Sequence, residues 1–179
     1  MKKVIIIIAL AIVAFIACEK NPVEKTATSA LAGQWYVDFQ CVDANGDFVD
    51  SFNGAPALAL TFNTAANKTD SIWVSDSKDM NFLGIQVKVP CNLEALTFGS
   101  DNPGKNICTA GALGDGDIGE ATIIKNGKIM LGAAKTPSGM PADSIYFEVF
   151  IDNDGYAANY GWDHYEVTGY RYTGFAADE

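Results

Sequence analysis

Hydrolysis by a serine enzyme needs a nucleophile, a base and an orienting acid. The only histidine in these 179 residues is His164, so the base would have to be His164, with Asp163 and Glu166 close by. Ser138, in the loop Pro137-Ser138-Gly139, is the best nucleophile candidate. No G-x-S-x-G elbow accompanies it, and that strained turn is what presents the serine in α/β-hydrolases. A lone histidine at a strand end is ordinarily a polar surface residue, so hydrolysis through Ser138 and His164 is the weaker reading. One histidine and scattered cysteines give no zinc-ligand spacing, and no metal or cofactor is expected. Asp43-Ala44-Asn45-Gly46-Asp47 and Asp152-Asn153-Asp154-Gly155 faintly resemble calcium loops. They lack the distal glutamate and sit where turns are needed. The 22 acidic residues offer many carboxylate pairs, and no spacing singles one out.

Binding of an apolar molecule has more support. Trp35, Phe39, Phe62, Trp73, Phe98, Phe147 and Trp162 recur in alternating segments and would line the inside of a small barrel. Such a barrel either holds one ligand or is filled by its own side chains. Periodicity does not separate the two cases. Arg171 is the only arginine, and Asp+Glu exceed Lys+Arg by 22 to 12. So acidic a chain is a poor partner for nucleic acid.

These side chains must be positioned by strands. Residues 33–42 alternate Trp35, Val37, Phe39 and Cys41 with Gln34, Tyr36, Asp38 and Gln40, a period of two. Residues 28–32 before them form a single turn. Residues 56–63 place Leu58, Leu60 and Phe62 on one side. Residues 71–75, 84–91 and 93–98 read as further strands. Residues 99–119 are glycine-rich and irregular, either a binding lid or a plain surface loop. Asn126-Gly127, between 121–125 and 128–131, carries the strongest short hairpin signal. Residues 143–151, 156–163 and 165–172 complete the set, with no helix of useful length after residue 17. Nine or ten antiparallel strands joined by short turns predict an all-β up-and-down barrel or a sandwich.

The N-terminus lies outside that domain. Met1-Lys2-Lys3 precedes an apolar run over residues 4–17, too short for a membrane span and right for a signal-peptide core. The run ends Phe15-Ile16-Ala17-Cys18, which resembles a bacterial lipobox. The resemblance implies cleavage before Cys18 and acylation of it. The expected organisation is a removed signal peptide over 1–17, a lipidated Cys18 with a flexible tether over 18–28, and one barrel over 29–179. The mature chain would have 162 residues and a net charge of −12, because Lys2 and Lys3 are lost. Membrane contact would then come through the acyl chains. Of the remaining cysteines, Cys91–Cys108 is the favoured disulfide. The other pairings with Cys41, and three thiols, stay open.

Gly33-Gln34-Trp35, following a single turn, resembles the G-x-W signature of the lipocalins and the wider calycin group. That resemblance implies Trp35 closing one barrel end under an arginine of the last strand, here Arg171. Ala30-Leu31-Ala32-Gly33-Gln34-Trp35-Tyr36-Val37, Thr136-Pro137-Ser138-Gly139-Met140-Pro141 and Gly169-Tyr170-Arg171-Tyr172-Thr173-Gly174-Phe175 are similar to the Bacteroidetes lipoprotein family labelled "lipid-binding putative hydrolase". It implies an exported, calycin/lipocalin-like β-barrel of about 8–10 strands that binds a lipid or fatty acid. The expected protein is a monomer in the cell envelope, lipid-anchored at the outer membrane. An adaptor with a filled barrel, binding a protein or glycan, is the alternative.

Overall fold

The computed structural model describes residues 25–52, 56–76, 83–108 and 121–178. The signal run, Cys18, most of the tether and residues 109–119 of the glycine-rich loop lie outside the described residues. Ten strands form one sheet. They are β1 (Gly33–Val42), β2 (Phe48–Ser51), β3 (Ala57–Asn63), β4 (Ser71–Asp76) and β5 (Gln86–Asn92), followed by β6 (Thr97–Phe98), β7 (Gly104–Lys105), β8 (Ala121–Lys135), β9 (Pro141–Ile151) and β10 (His164–Arg171).

All pairings are antiparallel in the order β10-β9-β8-β6-β5-β4-β3-β1-β2, with β7 also on β8, and β10 returns to β1 from Trp35↔Arg171 to Val42↔His164. The sheet is therefore a closed barrel of eight strand positions. β2 and β3 share one edge of β1, β2 against Gln40–Val42 and β3 against Gly33–Val37. They are two halves of one position, as are β6 and β7 along β8. Closure of β10 onto β1 removes the two long edges that an open sheet would expose, and leaves only the short β2 with an unpaired outer side among the described residues. It also needs a close approach at Gly169, where a Cβ would collide with the carbonyl of Tyr36 and with Val37.

The inward row of β1 is the predicted one: Trp35, Val37, Phe39 and Cys41 are buried. They join Ile72, Val74, Ile85, Val87, Val89, Ile124, Ile145, Phe147, Val149, Tyr165 and Val167 in one core. Phe39, Phe147, Ile72, Ile145, Val149 and Val167 are 0–1% exposed. A water-sized void beside any of them would register as exposed surface, so the middle of the barrel is packed solid around these side chains.

Four expectations are corrected here. In β3 the inward residues are Ala57, Ala59 and Thr61, while Leu58, Leu60 and Phe62 face outward. Ala59 stands opposite Trp35, whose indole occupies the room a leucine would need. Asn126-Gly127 is not a hairpin turn. β8 runs straight through it with a register shift between Lys125 and Lys128, a bulge that uses Asn126 at φ +54. Residues 155–160 are a helix rather than a strand. Finally, Cys91 and Cys108 form no disulfide, and Cys91 is a free thiol whose Sγ donates to Thr69 O at 3.5 Å. The register explains this. Val87 pairs with Asn106, and antiparallel running carries Cys91 and Cys108 in opposite directions from that pair. They end about 20 Å apart at roughly 3.3 Å per residue, far beyond disulfide reach.

The fold also begins before residue 29. Thr28 is fully buried, and Ala27 N donates to Asn67 Oδ1 at 2.8 Å.

Candidate ligand-binding end of the barrel

The two barrel ends differ in construction. At the first, Trp35 Nε1 donates to Thr61 Oγ1 at 2.9 Å, and Thr61 Oγ1 donates to Leu31 O at 2.6 Å. The Arg171 guanidinium lies 4.4 Å from the centre of the Trp35 ring. Its Nε donates to Asp143 Oδ2 at 3.0 Å and its Nη1 to Ala32 O at 3.1 Å. The guanidinium thus ties the N-terminal turn, the last strand and β9 across the indole face. This end is closed.

At the opposite end, the chain between β9 and β10 folds into α1 (Gly155–Tyr160). Asp154 caps it, with Oδ1 accepting from Tyr156 N at 2.9 Å and Ala157 N at 3.2 Å. Gly161, at φ +88, ends it by returning its N–H to Ala157 O. These are standard helix start and stop devices. The second Asp154 oxygen accepts from Tyr165 OH at 2.5 Å, which fixes α1 to the inner row of β10. Burial and that carboxylate raise the Tyr165 pKa, so the phenol keeps its proton.

A continuous aromatic cluster surrounds α1. Phe52 meets Tyr165 edge-on at 5.3 Å and Tyr156 at 6.1 Å. Tyr160 stacks on Trp162 at 5.6 Å and on Tyr156 at 6.2 Å. Edge and offset arrangements at these distances are attractive. Tyr165 is buried, whereas Tyr160 is 66% exposed, so the cluster runs from core to solvent. Beside it is a cleft of about 480 Å³, lined by Ile151, Asn153, Asp154, Tyr156, Asn159 and Tyr160. An apolar molecule there would find ring faces to lie on, with an amide and a carboxylate to orient a polar head.

Among the described residues, no activated nucleophile is assembled at this end. The Cys41 thiol lies within reach of the Asp154 charge, and burial, with Asp50 and Asp154 adding negative charge, pushes its pKa up to about 12. His164 Nδ1 lies 3.0 Å from Asp163 Oδ2, and its ring stacks on Phe150 at 4.3 Å. Ser138 is at the far end, in the β8–β9 turn, where its Oγ meets Thr136 Oγ1 at 3.0 Å and its N donates to Asp178 Oδ1 at 3.2 Å. β10 runs the barrel's length between them, about 20 Å. The Ser138–His164 pairing is therefore corrected: the topology holds the two residues at opposite ends.

The aromatic residues expected to line a cavity divide into groups. Phe39, Phe98 and Phe147 point inward but are packed core, with Phe98 and Phe147 in contact at 5.9 Å. Phe62 and Trp73 stack on each other at 6.4 Å on the outer wall, so they do not face an interior. Trp162 lies in the aromatic cluster beside α1. Sequence reading missed Phe52, Asp154, Tyr156 and Tyr160. The signal that could have found them was the Asp154 and Gly161 pair, spaced as caps around a short helix. Among the described residues no cluster of His, Cys, Asp or Glu is placed to hold a metal. No described helix is long and apolar enough to cross a membrane.

A family model described as "Lipid-binding putative hydrolase" matches residues 20–176. No curated protein matches the chain.

Proposed function

The chain belongs to the family of lipid-binding putative hydrolases, and from that premise we propose a lipid-anchored envelope protein that binds a small hydrophobic molecule, a lipid or fatty acid, at the α1 end of its barrel. Family and barrel together fit a lipid-binding role. The observation that carries the location is the aromatic cluster beside the cleft of about 480 Å³, within the size range of small-molecule sites. The packed interior argues against a ligand threaded through the barrel middle. The polar head of the ligand would meet Asn153, Asn159 and the Asp154 region, and its apolar part would lie on Tyr156 and Tyr160.

In this reading residues 1–17 are removed, Cys18 carries the acyl chains, and the barrel works as a monomer at the outer membrane. The lipobox-like sequence supports the anchor. No hydrolytic step is assigned, because Ser138 and His164 lie at opposite ends.

A second reading, an adaptor binding a protein or glycan, is favoured by the solid interior. Native mass spectrometry of the barrel, with lipid extraction, separates the two. A co-purifying or added fatty acid bound one-to-one, and lost in Tyr156→Ala/Tyr160→Ala, supports the carrier. A clean apo mass that fatty acids do not change refutes it and leaves the adaptor.

A further inference from the structure

We propose that the Trp35 end of the barrel is a lipid-docking surface, on which Leu131, Met140 and Phe175 enter the interface of the bilayer that holds the anchor. This rests on the lipid-anchor reading above.

Leu131, Met140 and Phe175 are 68%, 61% and 70% exposed. They share one end of the molecule and one bonded framework. The β8–β9 hairpin runs past the closed end, with Leu131 on its bulged arm and Met140 in its turn. Gly132 N donates to Asp143 Oδ1 at 3.0 Å, and Asp143 holds Arg171. The C-terminal turn carrying Phe175 is fastened to the same hairpin by Asp178, which accepts from Ser138 N and from Thr173 Oγ1 at 2.6 Å. The apolar tips are thus presented by a fixed scaffold.

The chain enters the barrel at this same end. Arg171 Nη1 donates to Ala32 O in the N-terminal turn, joining the entry point to the hairpin. From Lys25 back to Cys18 an extended chain reaches at most about 25 Å, so an acylated Cys18 holds this end near the bilayer.

Charge points the same way. The loops at the α1 end carry Asp43, Asp47, Asp152 and Asp163, against one nearby lysine among the described residues, Lys105 at the end of β7. The Trp35 end mixes Lys25, Lys68, Lys135 and Arg171 with Asp70, Glu94, Asp143 and Asp178. Lipid head groups meet a mixed surface there, whereas the α1 end would repel an anionic one. Exposed apolar tips at an end that also carries lysines, Lys135 on the same hairpin, suit the interfacial zone, where lysine stems reach back to water.

The test is hydrogen exchange on the acylated protein in phosphatidylcholine vesicles, compared with the barrel 25–179 in buffer. Intact mass first reads whether Cys18 is acylated. The expected result is roughly threefold or greater slowing over residues 131–140 and 173–178, with residues 43–47 and 152–163 unchanged. Leu131→Ser/Met140→Ser/Phe175→Ser loses the slowing yet stays on the vesicles, and Phe48→Ser at the other end keeps it. Acylated protein that floats with vesicles but exchanges as in buffer overturns the docking surface and leaves the anchor standing. A chain without acyl mass overturns the anchor reading and this inference with it.

Discussion

Replacing Arg171 by Leu tests whether the closed end is held by its guanidinium. The substitution removes the cation over the Trp35 ring at 4.4 Å, the bond to Ala32 O at 3.1 Å and the ion pair with Asp143 at 3.0 Å. The ring interaction is worth about 1 kcal/mol, being only partly desolvated. A charged donor to a carbonyl contributes about 1.5 kcal/mol, and its loss leaves Ala32 O without that partner. The ion pair is about one-third exposed on both sides, so it adds at most about 0.5 kcal/mol after solvent screening. The expected destabilisation is therefore about 3 kcal/mol, read as a lower urea midpoint at constant m-value. In a domain of this size the melting temperature should fall by about 6–12 °C. Arg171→Leu combined with Trp35→Phe should show coupling of about 1 kcal/mol, because both changes act on one contact. A loss below about 0.5 kcal/mol, with no coupling, would mean that the guanidinium is an ordinary surface charge and does not hold the closed end.

Gly169→Ala drives a Cβ into the backbone carbonyl of Tyr36 and into Val37. It should open the β1–β10 seam and cost about 3 kcal/mol or more, visible as a collapsed denaturation midpoint. Asp178 has its pKa lowered from 3.8 to about 2, chiefly by side-chain bonds from Ser138 and Thr173. A depressed carboxylate stabilises the fold above its unfolded pKa and loses that contribution as pH falls through its folded value. Stability should thus fall between about pH 4 and pH 2, and Asp178→Asn should flatten that limb in an acid titration followed by near-UV circular dichroism. Cys41, with its pKa near 12, should resist iodoacetamide at pH 8 in the native barrel and react fully in urea. Native-state labelling of Cys41 at the rate of a free thiol would contradict its burial.

Much of the barrel was legible because a half-buried strand writes itself as alternation. Residues 33–42 alternate apolar with mostly polar, and the inward row read from them is the buried row. In β3 both phases are apolar, Ala57 and Ala59 against Leu58 and Leu60, so pattern alone chose the bulkier side. The deciding fact is non-local: Trp35 arrives from the neighbouring strand and leaves room only for alanine and a hydroxyl. Asn126-Gly127 misled for a related reason. A tight turn and a bulge both need a residue at positive φ, and only the pairing of the flanking strands tells them apart. At Gly127 the backbone passes so close to the Phe98 ring that no side chain fits. The candidate site was the least legible part, because it is built on a six-residue helix too short for any period to show. Its caps were present in the sequence, but Tyr156 and Tyr160 have the composition of a strand.

The seam between β1 and β10 joins residues 35–42 to residues 164–171. In a chain made from its N-terminus, the first strand must wait for the last. Until then the unfinished sheet presents two unpaired borders, and its inner row has no opposite wall. Barrel closure is thus gated by completion of the C-terminal strand, a non-local pairing that is slow to form. A chain cut before residue 164 is then more than a shorter barrel: it is an open sheet with adhesive edges, fit for degradation or for pairing with its own copies.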